Sequence, residues 1–257
     1  MNPARLLLEA GRALRRFGYS LTVYPFLWST APEYRLKGRE VPAAQRRLEE
    51  MAASPRSLPR PVLFVHGWMD QPWRFERMAG ELRKCASNAE GRMQFATMRG
   101  SGPIDGLARR LADEFDALGE LDVVAHSMGN LATRQAARRY GLKVQRLFSL
   151  AAPHGGGRFT WPLKLVHPQV RDMSPDSAFL KELNADPAST AFEISTWRVA
   201  GDTVVGRPSA HLVGDNHREL SPRILMDSHI NIPQDRRVIA EVIEKLLDTG
   251  PWSTEDR

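Results

Sequence analysis

Cysteine is all but missing from this chain. Cys85 is the single one in 257 residues, so no intrachain disulfide can form and cohesion must come from an apolar core. Long apolar runs are missing as well, and no stretch approaches the roughly 20 residues a membrane-spanning helix requires. The N-terminal run Leu6, Leu7, Leu8 is broken by Glu9 and then by Arg12, Arg15 and Arg16. No small-residue cleavage site follows, so no signal peptide is expected and a cytoplasmic location fits. Internal repeats and low-complexity tracts are absent. Most of the chain also lacks net charge. The total is +6, but residues 1–60 hold eleven Lys/Arg against five Asp/Glu, and the remainder holds 25 of each. A neutral body argues against nucleic acid as a partner, while the basic N-terminal excess suits an acidic surface.

The length suits one domain, or a domain with an arm. Residues 3–17 fit a helix with Leu6, Ala10, Ala13, Leu14 and Phe17 on one face and Arg5, Arg12 and Arg16 on another. Residues 1–17 could therefore contact a membrane peripherally, pack on the body or join two copies. A second helix is expected at about 42–53, and "SPRSLPRP" reads as a linker. This gives an N-terminal basic helical arm at 1–58 and a main domain at 59–257.

From residue 61 the pattern changes. "PVLFVHG", "MQFATM", "LDVVAHS", "KVQRLFSLAAP" and "FEISTWRVAG" read as strands, with a weaker sixth in about 217–226. Helices are expected at 104–118, 128–140 and 234–248, the last burying Val238, Ile239, Val242, Ile243, Leu246 and Leu247. Strands that are apolar on both faces and alternate with helices imply an α/β fold, a mostly parallel sheet covered on both sides. Right-handed crossovers place the strand carboxyl ends on one edge, where active sites of open sheets form.

The third strand runs straight into a helix through "VAHSMGN". A serine at such a corner is strained, and its neighbours two residues away must be very small; here they are Ala125 and Gly129. Ser127 is thereby a candidate nucleophile. The alternative is a serine that merely caps the helix. The Met128 N–H lies at the helix start, where partial positive charge gathers. "VLFVHGW" ends the first strand, and the loop after Gly67 can aim the Trp68 N–H at the same point. Together these two donors would form an oxyanion hole. The side chain of His66 reads as a loop-holding histidine rather than a base.

A serine needs a base, and in this architecture the order along the chain is serine, acid, histidine. His66, His126 and His154 come too early and His167 falls in the lid-like insertion, leaving His211, His217 and His229. His229, in the loop before the last helix, is favoured. Asp202, directly after the fifth strand, is the favoured acid, with Asp215, Asp227 and Asp176 as rivals. Asp202 would hold the imidazole tautomer and stabilise the imidazolium.

With these residues in place, the chain resembles the α/β-hydrolase superfamily, and most nearly small bacterial lipases and esterases with an A-H-S-M-G elbow. "VHGW" at 65–68, "VAHSMGN" at 124–130, "AAPHGGG" at 151–157, "GDTVVGRPSAHLVG" at 201–214 and "DSHINI" at 227–232 carry the likeness. It covers roughly residues 60–248. It implies Ser127 as nucleophile, Asp202 as acid and His229 as base, with the Trp68 and Met128 N–H groups on the oxyanion. No cofactor is implied, and no metal ligands are assigned. The segment at about 157–190 resembles a lid, in which Trp161, Leu163 and Phe179 are candidate substrate contacts. The implied activity is hydrolysis of carboxylic esters of lipid or other acyl substrates. Alternatives are a GPI-inositol-deacylase-like acyl hydrolase, a thioesterase, an amidase, or a non-catalytic binding protein of the same fold.

Overall fold

A computed structural model describes residues 40–98, 100, 102–158, 164, 167–200, 202, 204–212, 215–220 and 229–248. The expected helix at 3–17, the candidates Trp161 and Leu163, and the rival acid Asp227 lie outside these residues.

The elements in order are α1 (Glu40–Ala53), β1 (Val62–Val65), α2 (Glu76–Cys85), β2 (Met93–Ala96), α3 (Ile104–Phe115), β3 (Leu121–His126), α4 (Met128–Tyr140), β4 (Val144–Leu150), α5 (Pro168–Asp172), α6 (Ala178–Ala185), β5 (Glu193–Val199), β6 (Asn216–Leu220) and α7 (Arg236–Leu247). The six strands form one sheet in the order β2-β1-β3-β4-β5-β6, and every pairing is parallel. β1 and β3 are buried at every position, because helices cover both faces.

Alternate residues of each strand feed opposite cores. Phe64, Val124, Phe148 and Trp197 meet α1, α2 and α7 on one face. Leu63, Val65, Val123, Ala125 and Leu147 meet α3 and α4 on the other. In α7 the six expected apolar residues are buried. The carboxyl ends of β1 and β3 lie side by side where the chain reverses its direction of travel across the sheet, the position at which doubly wound folds open a crevice.

Two stretches differ from the sequence reading. The expected linker at 54–60 is fastened to the body. The Arg56 N–H donates to Cys85 O at 3.0 Å, the Leu58 N–H donates to Asn88 Oδ1 at 2.8 Å, and Leu58 is buried. Ala44 and Leu48 of α1 share the core with α7, so residues 40–58 lie on the body that carries the sheet. The sixth strand is described only over Asn216–Leu220. It is an edge strand, half exposed and polar, and so carries little apolar signal.

Candidate active site

Ser127 sits between the last residue of β3 and the first of α4, with φ 51° and ψ −124°. An L-residue rarely adopts this conformation, and it persists only where its surroundings enforce it. Asn130 supplies part of that enforcement. Its Nδ2–H group donates to Ala125 O at 3.1 Å and to Ser127 O at 3.1 Å. Gly129 permits the close approach of β1: a Cβ there would lie 2.5 Å from Val65 O and 2.8 Å from His66 O. Gly67 presses in from the other side, where a Cβ would meet Ser127 Cβ at 3.0 Å. The backbone of 67–68 thus runs directly over the serine. Met128 opens α4, and a first-turn N–H has no acceptor within its own helix.

Three residues far apart along the chain meet at this corner. The Ser127 Oγ–H donates to His229 Nε2 at 3.0 Å. The His229 Nδ1–H donates to Asp202 Oδ2 at 2.8 Å. The other Asp202 oxygen accepts the N–H groups of Val204 at 2.8 Å and Val205 at 2.9 Å. Burial opposes charge on Asp202, yet His229 and these two N–H donors outweigh it and hold the carboxyl below its ordinary range. The rivals lie elsewhere. Asp215 accepts from Thr196 and Leu212, Asp176 is exposed, and His211 lies against His217.

A buried polar network behind His229 carried no clear mark in the sequence. The His126 Nε2–H donates to the carbonyl of His229 at 2.8 Å. Its Nδ1 faces Asp70 at 3.7 Å, and Asp70 accepts from Arg74 Nε at 2.8 Å. Burial opposes the Asp70 charge, but His126 and Arg74 hold its carboxyl far below the usual carboxylate range. The only available signal was the i,i+4 spacing of Asp70 and Arg74. His66 does hold the loop. Its Nδ1–H donates to Gly67 O at 2.9 Å, and its Nε2 accepts the Met98 N–H at 3.1 Å.

On the other side of the sheet, His154 is buried between Ser149 Oγ at 3.1 Å and the buried guanidinium of Arg134 at 3.3 Å. Burial lowers the pKa of His66, His126 and His154, and the Arg134 charge lowers that of His154 further. His66 and His154 are therefore neutral when folded but free to protonate when unfolded. Their contribution to stability is complete above about pH 6.5, the unfolded value. It declines as pH falls from there towards the depressed folded values, by up to about 1.4 kcal/mol per pH unit for each. Urea midpoints are expected to drop between about pH 7.5 and 5.5, and to drop less steeply in His154→Gln. A flat profile would show that these imidazoles are not buried neutral.

Met128 belongs to a buried apolar cluster with Ile104, Leu107, Leu131, Val170 and Met173, and the partly exposed Trp68 and Phe179 pack against its margin. Phe179 is half-buried and also walls a cleft of about 430 Å³ with Lys164, Arg171 and Asp176. Met69 and Trp73, beside the serine loop, are the large apolar residues that stay exposed among the described residues, at 47% and 48%. No described helix is long and apolar enough to cross a membrane.

No protein-family model matches the chain, and no curated protein does. Solved structures do match. The mature form of the Bacillus licheniformis lipase BlEst2 is 16% identical, with a TM-score of 0.57, over 75% of this chain and 94% of that one. Aspergillus fumigatus lipase B is 14% identical, with a TM-score of 0.52, over 88% and 76%. The RedJ thioesterase of Streptomyces coelicolor is 15% identical, with a TM-score of 0.50, over 76% and 92%. At these identities the likeness speaks for the fold.

Proposed function

We propose that this chain, which has the α/β-hydrolase fold, is a serine hydrolase that cleaves carboxylic esters of lipid or other acyl substrates. The observation that carries the reading is the unbroken hydrogen-bonded line from Ser127 through His229 to Asp202. Ser127 Oγ attacks the ester carbonyl as His229 Nε2 takes its proton. The charge that gathers on the carbonyl oxygen is received by the Trp68 and Met128 N–H groups. Each such donor is worth on the order of 3 kcal/mol in the transition state. His229 then passes its proton to the departing alkoxide, and an acyl-serine remains. Water, deprotonated by the same imidazole, releases the acid. Asp202 stays ionised throughout and holds the Nδ1–H tautomer, a role its depressed pKa supports.

The partly exposed Trp68 and Phe179, with the exposed Met69 and Trp73, support an acyl chain as the part of the substrate that is recognised. The test pairs p-nitrophenyl esters of graded chain length with a long-chain acyl thioester. We expect rates that rise from acetyl to medium-chain esters, and labelling of Ser127 by a fluorophosphonate. Faster thioester turnover would move the reading to a thioesterase. Failure to label Ser127, with no turnover of any substrate, would overturn it.

A further inference from the structure

We infer that His211, Asp215 and His217 form a binding site for a divalent transition-metal ion, with zinc the best match, at the far end of the loop that begins with Asp202. One ring nitrogen from each histidine and one oxygen of Asp215 all lie within 4.8 Å of one another. Ligands of tetrahedral zinc stand about 3.4 Å apart, so small side-chain rotations close the set. The three residues come from one short segment, in which β6 turns His217 towards the same row as Thr196 of β5.

Two observations separate this cluster from an ordinary polar surface. Both ring nitrogens of His217 are shut away from solvent without a hydrogen-bond partner. A buried polar atom left unsatisfied is costly, and a metal would satisfy one of these two. The His211 and His217 rings are also packed with their centroids only 3.4 Å apart. Such proximity places two imidazole side chains at one point of the fold. Asp215 is already oriented. Its Oδ2 accepts the Thr196 hydroxyl at 2.7 Å and the Leu212 N–H at 3.1 Å, the kind of outer support that metal-binding carboxylates receive.

Two imidazoles and one carboxylate select against calcium and magnesium, which take oxygen ligands, and favour zinc or its neighbours in the series. Three protein ligands leave the fourth position to water. The ion would tie the end of the 202–215 loop to the sheet edge and so brace the segment that carries Asp202. This role is independent of the reaction proposed above.

Cobalt(II) is the probe, added to the chelator-treated full chain. We expect one equivalent to bind with the visible d–d absorption of a tetrahedral N/O site, and zinc to displace it. His211→Gln and Asp215→Asn should each weaken binding by at least about 100-fold, the upper range for loss of even an outer-shell partner. His229→Gln should bind as before. Zinc should raise the Tm of the wild type by a few °C and leave Asp215→Asn unmoved. A wild type that takes up no cobalt at millimolar concentration would overturn the inference, whatever the variants do. So would binding that survives His211→Gln and vanishes in His229→Gln, since the ion would then sit at the serine site.

Discussion

Ser127→Ala is expected to reduce ester turnover by about 10⁵–10⁶-fold, with His229→Ala close behind and Asp202→Asn at about 10⁴-fold. The ranking follows from the hydrogen bonds. In the proposed reaction Ser127 makes the covalent bond and His229 moves every proton, so loss of either stops the same step. His229→Ala placed on Ser127→Ala should then cost almost nothing further. The two act as one unit joined at 3.0 Å, and such units are far from additive. Asp202 differs because it touches neither substrate nor the transferred proton. Its carboxamide replacement keeps the shape but can present an N–H to His229 Nδ1, which favours the wrong tautomer. The Val204 and Val205 N–H donors that now hold a carboxylate oxygen would hold the amide oxygen instead. Residual activity above water should remain in all three, supplied by the backbone donors of Trp68 and Met128. Rates with a p-nitrophenyl ester, beside circular dichroism to show that each variant folds, check the series. Ser127→Ala with more than about a hundredth of the wild-type rate would remove Ser127 from the chemistry.

The sequence carried the sheet because its inner strands are buried on both faces, and such strands must be written as apolar runs whatever else they do. "VLFV" and the stretch from Leu121 to His126 could scarcely be read otherwise. The candidate Ser127 could be picked out because the corner demands small neighbours, and the candidates Asp202 and His229, which the fold brings into hydrogen-bond contact with it, because of where they stand relative to the expected strands and the last helix, in the right order. Where the meaning of a residue depends on what lies across the fold, the sequence is silent. Arg134 stands among Arg138 and Arg139 in one helix, yet it alone is wholly buried, because α4 runs through the middle of the molecule at that turn. The segment after Ala53 has the proline and serine of a linker, and only Asn88 and Cys85, thirty residues on, reveal that it is pinned. His211, Asp215 and His217 were weighed only as rival bases and acids. Their mutual approach depends on β6 pairing with β5, and an edge strand this polar has no pattern to announce it.

Arg146→Met is expected to destabilise the fold by about 3–5 kcal/mol, the range for a buried charge that loses its partner. Asp122 and Arg146 face each other across β3 and β4, and both are buried, at 0% and 3% exposure. The guanidinium grips the carboxylate at two points, Nε to Oδ1 at 3.0 Å and Nη2 to Oδ2 at 2.5 Å. Its N–H groups also donate to Lys245 O at 2.7 Å, Asp248 O at 3.1 Å and Leu246 O at 3.3 Å, at the end of α7, where a helix runs out of its own donors for its last carbonyls. One side chain therefore neutralises a buried acid and closes the terminal helix onto the sheet. Arg60, 3.0 Å from Asp122 Oδ1 and a quarter exposed, can neutralise part of the abandoned charge, which places the loss nearer 3 than 5 kcal/mol. Asp122→Leu combined with Arg146→Met should recover much of it, because a dry pair exchanged for apolar side chains leaves no bare charge. What stays lost in the double variant is the cap on α7, about 1 kcal/mol per missing hydrogen bond. Urea unfolding of the two single variants and the double gives the coupling directly. If the double variant were as unstable as Arg146→Met alone, the helix cap rather than the ion pair would be what Arg146 supplies.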